Sequence, residues 1–161
     1  MDKKRKIASI ILLVITVALT LTIVINAFIP EVQSASMSNT ISDNITKIYT
    51  PTDKEKFYTL VRKSLGHFLL NGLNAGFATL TLLTYSKNKG LHRGWIILIG
   101  LFYGFIIASL SEFIQLFVDG RGATWKDVGI NCLGCLTFVF IIGLVYSIKY
   151  FVKSKRNKAN E

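Results

Sequence analysis

The sequence predicts an all-α membrane protein, a bundle of four transmembrane helices with both termini in the cytoplasm. Three observations lead to this fold class. Hydrophobic residues make up 51% of the 161 residues, more than a soluble core of this size needs. Four predominantly apolar stretches are each long enough to cross a bilayer core about 30 Å thick. Basic residues are concentrated on one side of these stretches.

The first apolar stretch covers residues 7–29 and contains no ionisable side chain. It is longer than the apolar region of a secretory signal, which has about 7–15 residues, so we expect an uncleaved signal anchor. Residues 30–62 follow as a loop on the outer side. They are rich in Ser, Thr, Asn and Asp and show no periodicity, which predicts a partly irregular segment.

The other three spans are predicted at residues 65–85, 95–117 and 128–150. A short hinge separates the last two, and its residues Gly120 and Gly122 permit the positive φ of a tight turn. The last two spans should therefore form a helical hairpin. Strands are excluded because their edge amides would be unpaired in lipid and because the polar alternation of a barrel is missing.

The distribution of Lys and Arg predicts the orientation. With four crossings, twelve basic residues fall at the termini and in the loop that contains Lys87, Lys89 and Arg93, while seven fall on the other side among most of the acidic residues. The side richer in basic residues faces the cytoplasm. The chain is thus expected in the cell membrane as one multi-pass domain.

Composition also limits the partners and cofactors. The net charge of +10 comes from residues near the ends of spans, so membrane lipids rather than nucleic acid are the expected partners. No metal-ligand spacing is present, and we expect neither a metal nor another cofactor. Cys132 and Cys135 form a C-x-x-C pair, but no second pair exists to relay electrons. Packing is favoured over a redox role for them.

Polar side chains inside the predicted spans need an explanation, because each costs about 2.5–3.5 kcal/mol to insert at a helix centre. They occur on the second span with helical spacing, within one turn of the third, and four residues apart on the fourth. In that order they are Lys63, His67, Asn71 and Asn74; Ser111, Glu112 and Gln115; Asp127 and Asn131. The topology places nearly all of them in the outer part of the membrane, below Arg121 of the hinge.

These residues predict an outward-facing polar pocket. The expected ligand-binding residues are Lys63, His67, Ser111, Glu112, Gln115, Arg121, Asp127 and Asn131. Glu112, His67 and Ser111 are also the candidates for catalysis, and Arg121 or His67 is the expected partner of the Glu112 carboxylate. The first span contributes only Asn26 and should be the least involved. The alternative is that these groups only join helices through hydrogen bonds, without a ligand.

The same residues resemble a known family. Ser111, Glu112, Gln115 and Phe117, then Arg121, then Asp127 and Val128, Asn131 and Gly134 are similar to the motif of VanZ-like proteins. Arg62, Lys63, Gly66, His67 and Phe68 resemble the first motif of that family, so the resemblance covers about residues 62–144. It implies a small multi-helix bacterial membrane protein connected with low-level resistance to the glycopeptide teicoplanin.

Three functions follow as expectations. The leading one is that the pocket binds an anionic or amide-bearing component of the cell envelope, such as a lipid-linked cell-wall precursor. The second is an enzyme that acts on a lipid headgroup with the carboxylate and the imidazole as acid and base. The third is a helix-bundle scaffold without a ligand.

Overall fold

The structure, a computed structural model, describes residues 3–86 and 92–158, and within these ranges it contains helices and no strand. The elements are α1 (Lys3–Phe28), α2 (Glu31–Thr46), α3 (Lys54–Arg62), a π-helical segment (Lys63–Leu69), α4 (Leu70–Ser86), α5 (Arg93–Gln115) and α6 (Trp125–Lys158). The predicted all-helical class is confirmed. Lys87 and Lys89, which entered the charge count, lie outside the described residues.

In the part of the chain that the structure describes, three helices are long and apolar enough to cross a membrane: α1, α5 and the Trp125–Lys149 part of α6. The predicted second span is divided between the π-helical segment and α4. With 17 residues, α4 alone is shorter than the roughly 20 that a crossing needs. The structure thus supports a membrane protein with at least three such helices, while the fourth crossing and the orientation stay predictions.

Helix α4 lies at the centre and contacts α1, α5 and α6. Its close approach to α6 depends on small residues. A Cβ on Gly134 of α6 would collide with the carbonyl oxygen of Phe68, and one on Gly72 would lie 2.5 Å from the Phe138 ring. Glycine at these positions therefore allows the close helix contact. Gly129 differs, because no described atom lies within 4 Å of the place its Cβ would take.

Helix α1 packs into the bundle through hydroxyl groups. The Thr20 hydroxyl donates to Asn74 Oδ1 of α4 at 3.1 Å and also bonds the Tyr103 hydroxyl of α5. One turn earlier, the hydroxyl oxygens of Thr16 and Thr81 lie 3.3 Å apart. Asn74 therefore faces α1, whereas Lys63, His67 and Asn71 face α6.

Residues 30–62 are more ordered than the sequence predicted. They form the helical hairpin of α2 and α3, in which the Tyr58 hydroxyl donates to Asp43 and Arg62 pairs with Glu31. The prediction of irregular structure holds only for a short connection between the two helices. The rest of the prediction is wrong, because the low helix propensity of these polar residues is overridden by tertiary contacts.

The hinge before α6 combines one glycine turn with a helix cap. Gly120 has φ +75°, as predicted, whereas Gly122 has no positive φ. Thr124 and Asp127 cap α6 reciprocally, because the Asp127 amide donates to Thr124 Oγ1 and the Thr124 hydroxyl donates to Asp127 Oδ2. This cap fixes the first turn of α6, which carries Asp127 and leads to Asn131.

Candidate functional site

A buried carboxylate lies at the centre of the polar cluster. Glu112 of α5 is 2% exposed, and its Oε1 lies 3.3 Å from His67 Nδ1 of the π-helical segment. Asn131 Nδ2 donates to the same oxygen at 2.9 Å, and Gln115 Nε2 is 3.5 Å away. Three elements distant in sequence thus converge on Glu112, as the predicted depth of these residues required.

Asn131 connects the rest of this network. Its Oδ1 accepts a hydrogen bond from Asn71 Nδ2 at 2.9 Å and lies 3.1 Å from His67 Nδ1. Both oxygens near His67 Nδ1 are acceptors, one from Asn131 and one from Glu112. The proton therefore resides on Nδ1 in the neutral ring, and Nε2 is the nitrogen available to another molecule.

The network borders a cavity of about 510 Å³. The cavity lies between the end of α1, α2, the π-helical segment, the end of α5 and the hinge. Of the eight predicted binding residues, His67, Ser111, Gln115, Arg121 and Asp127 line it. Lys63, Glu112 and Asn131 are not among the lining residues. Glu112 contacts His67, which separates it from the cavity.

Lys63 instead pairs with Asp127. Its Nζ lies 2.6 Å from Asp127 Oδ1, and the two side chains are 26% and 14% exposed. This ion pair joins the π-helical segment to the first turn of α6, where a negative charge is also favoured by the helix dipole. π-helical turns inside α-helices often occur at functional sites, and this one carries both Lys63 and His67.

Arg121 is the unusual cation of the site. Its side chain is 7% exposed, and its buried Nε and Nη2 atoms make no hydrogen bond within the described residues. The nearest carboxylate is that of Glu31, whose Oε2 is 3.9 Å from Arg121 Nε. Burial lowers the pKa of Arg121 from its ordinary value, and the charge of Glu31 opposes this change. Glu112 pairs with His67, the other of the two partners expected for it.

Residues between 22 and 41 contribute to the cavity, which was not predicted from the sequence. Thr22, Ile23 and Asn26 of α1 line the cavity, so the prediction that the first span contributes only Asn26 is wrong. Glu31 of α2 was also not predicted to belong to the site. It pairs with Arg62, which the sequence showed only as part of a family motif. A usable signal existed, because a Pro followed by an acidic residue, as in Pro30 and Glu31, is typical of a helix start.

Other reactive side chains are occupied or enclosed. The Ser111 hydroxyl donates to the Ala108 carbonyl oxygen at 2.8 Å, and Cys135 Sγ lies 3.5 Å from the Asn71 carbonyl oxygen. Cys132 and Cys135 are free thiols. Within residues 3–86 and 92–158, no group of three or more His, Cys, Asp or Glu side chains is placed to hold a metal ion.

Comparison with known proteins now decides the family. The sequence model described as VanZ/LLP1 matches residues 9–146. The chain belongs to the VanZ/LLP1 family. No significant match was found among curated proteins or among solved structures. The VanZ/LLP1 match confirms the resemblance seen in residues 62–144. It also includes most of α1 and all of α2, two helices that line the cavity.

In this VanZ/LLP1 protein the site combines three kinds of group. Arg121 offers a guanidinium with free donors, His67 offers Nε2, and Gln115 lines the cavity beside them. Guanidinium groups bind carboxylates and phosphates, and an imidazole held on one nitrogen can accept or donate a proton with the other. The arrangement is suited to an anionic molecule that also offers hydrogen-bonding groups.

Proposed function

We propose that this protein is a multi-pass protein of the bacterial cell membrane with four crossings and cytoplasmic termini. Three of the crossings correspond to the long apolar helices. The fourth would combine the π-helical segment with α4, a continuous helical stretch of 24 residues at the centre of the bundle. The distribution of basic residues supports the orientation, in which the cavity faces the outside.

Within this topology, the proposed function is the binding of an anionic or amide-bearing envelope component, such as a lipid-linked cell-wall precursor. One observation carries the proposal: Arg121 is almost fully buried beside the cavity, and two of its nitrogens make no hydrogen bond to any residue that the structure describes. The Glu31 carboxylate, 3.9 Å from Arg121 Nε, compensates this burial incompletely, and an anionic ligand would accept hydrogen bonds from the two nitrogens. A helix-bundle scaffold without a ligand gives no reason for such a group beside a cavity.

The consequence for the cell would be an altered susceptibility to glycopeptides, in line with the VanZ-like family's connection with teicoplanin resistance. In this proposal Arg121 holds the anionic group, while His67 Nε2 and the Gln115 amide bond its neighbouring polar groups. The buried Glu112 carboxylate keeps the His67 ring oriented, so that Nε2 is the nitrogen left for the ligand.

The test is deletion of the gene followed by complementation, with teicoplanin susceptibility as the readout. We expect deletion to increase susceptibility and the wild-type gene to restore it. Arg121→Gln should fail to restore it at wild-type abundance, whereas Lys56→Gln, a charge change on a side chain 87% exposed and outside the cavity, should restore it fully. An unchanged envelope phenotype after deletion would overturn the proposal.

A second candidate function is acid–base catalysis on a lipid headgroup. It is favoured by the Glu112–His67 contact, because a carboxylate on Nδ1 fixes the tautomer in which Nε2 can accept a proton. Ser111 is less suited to act as the nucleophile, since its hydroxyl is bonded within its own helix. Mass spectrometry of envelope lipids with and without the protein separates the two functions, because only catalysis yields a product of changed mass.

A further inference from the structure

Two arginines border the cavity and face one carboxylate. Arg62 Nη1 of α3 pairs with Glu31 Oε1, and Arg121 Nε of the hinge lies 3.9 Å from Glu31 Oε2. All three residues line the cavity. The two guanidinium groups are close enough for the charge of Arg62 to lower the pKa of Arg121. Glu31 therefore lies where an external anion would satisfy both arginines.

The charges at this end of the cavity do not balance. Arg62 and Arg121 carry two positive charges, and Glu31 supplies one negative charge. Two other acidic residues nearby have other partners: Asp127 pairs with Lys63, and Glu112 contacts His67. Among residues 3–86 and 92–158, Arg121 Nε and Nη2 also have no hydrogen-bond partner. A group with more negative charge and more acceptor oxygens than a carboxylate would match the two arginines better.

The cavity also has an apolar lining that reaches the protein surface. Four of its lining residues are large hydrophobic side chains that remain exposed, and we call them the apolar rim: Ile25, Met37, Ile41 and Leu65, with exposures of 60%, 63%, 45% and 37%. The rim joins the exposed face of α1, a helix apolar enough to cross a membrane. A hydrocarbon chain held at this rim would remain in contact with lipid.

We propose that Arg62 and Arg121 form a binding site for the phosphate group of an amphiphile, that this phosphate displaces the Glu31 carboxylate, and that the hydrocarbon chain leaves the cavity along the apolar rim. This inference rests on the proposed function and names the chemical class of its ligand. Phosphate competes well with Glu31 because it offers three acceptor oxygens and a charge of about −1.5 to −2 at neutral pH to two arginine forks.

The test is isothermal titration calorimetry on the purified full chain in a sterol glycoside detergent, which contains neither phosphate nor an alkyl chain. The probes are dodecyl phosphate below its micelle concentration, inorganic phosphate, and a neutral dodecyl glycoside. Dodecyl phosphate should bind at least about tenfold more tightly than either control, since only it satisfies both the arginines and the rim. Equal binding of inorganic phosphate, or of the neutral glycoside, would overturn the proposal.

Variants show whether the phosphate displaces the Glu31 carboxylate or is only attracted by the two arginines. Glu31→Gln should bind dodecyl phosphate about threefold or more tightly, because the competing charge is gone, while the exposed Glu55→Gln should not change it. Arg121→Gln should weaken binding about tenfold or more, and Arg121→Lys should recover part of it. Unchanged or weaker binding to Glu31→Gln, measured on protein with wild-type helicity, would refute the displacement.

The result is distinguishable from failure of the proposed function. If no probe binds while deletion still changes teicoplanin susceptibility, the phosphate amphiphile is wrong and the envelope role stands. If dodecyl phosphate binds as expected and deletion has no envelope phenotype, the site is correct and its cellular role is not.

Discussion

The Glu112 carboxylate and the His67 imidazole lie 3.3 Å apart, although 44 residues separate them in the sequence. Glu112 is 2% exposed and belongs to α5, whereas His67 belongs to the π-helical segment and lines the cavity. The pair therefore places a buried carboxylate in contact with an imidazole that lines the cavity. Substitutions of Glu112 can test separately what its charge and its shape contribute.

Glu112→Gln should remove the charge while keeping the shape. Glutamine retains an acceptor oxygen for the Asn131 and His67 donors, so the free energy of unfolding should change by less than about 1.5 kcal/mol. Envelope activity should nevertheless fall, because the His67 ring loses the hydrogen bond to an ionised carboxylate that orients it toward the cavity. Membrane abundance and teicoplanin susceptibility, measured together, check this expectation. A fully active variant at normal abundance would reduce Glu112 to a packing residue.

Glu112→Ala is the complementary change and should mainly reduce stability. It leaves the donors on Asn131, Gln115 and His67 without their shared acceptor, at about 1–3 kcal/mol for each donor that stays buried and unpaired. The thermal midpoint of the purified protein in detergent should fall clearly below that of Glu112→Gln. Equal midpoints for the two variants would contradict the network as described.

Gly134→Ala should destabilise the contact between α6 and the segment before α4. The added methyl group would overlap the Phe68 carbonyl oxygen, which belongs to the backbone and has little room to move. We expect a loss of about 1–3 kcal/mol, seen as a lower thermal midpoint and lower abundance. Gly129→Ala is the matched control on the same helix, because nothing lies within 4 Å of its added methyl group. That control should be neutral or stabilising, since alanine favours helix.

The sequence was sufficient to predict what depends on hydrophobic runs and helical spacing. Helix α5 begins and ends within two residues of the predicted 95–117, and Glu112, His67 and Asn131 meet as their common depth implied. An ionisable side chain in an apolar run is rare enough to mark a site. Glu112 follows this rule, because it lies in an apolar run and is buried in the structure.

The rest depended on contacts that no local pattern encodes. The hairpin of α2 and α3 is rich in Ser and Thr, so its propensity was low and its position beside the cavity could not be predicted. Glu31 is an ordinary acidic residue in sequence, and its importance comes from Arg62, 31 residues away, and Arg121. Hydropathy predicted one uniform span at residues 65–85. In the structure its beginning is π-helical, and α4 begins only at Leu70.

Tyr58 should make the α2–α3 hairpin sensitive to alkaline pH. Its hydrogen bond to Asp43 raises the pKa of Tyr58 above its ordinary 10.0. Because the folded pKa is raised, this contribution to stability is fully present below pH 10 and is lost as the pH rises through the folded value. Ultraviolet absorbance of tyrosinate should show one group ionising above pH 10, absent in Tyr58→Phe. In Asp43→Asn the same group should ionise at a lower pH, and an unchanged titration in that variant would refute the pairing.

Lys63 and Asp127 should show energetic coupling that depends on both charges. Their atoms Nζ and Oδ1 are 2.6 Å apart and only partly exposed, so each charge is incompletely solvated without the other. Asp127→Asn should therefore cost about 1–2 kcal/mol, and the double variant Lys63→Met with Asp127→Asn should cost less than the sum of the single variants. Thermal midpoints of the four proteins complete the cycle, and a coupling energy of about 1 kcal/mol is expected.

Thr124→Val provides the control, because it removes the cap contact of Asp127 and leaves the ion pair. Purely additive effects would mean that Lys63 does not hold the π-helical segment against α6, and that the position of His67 relies on its contacts with Asn131 and Glu112 alone.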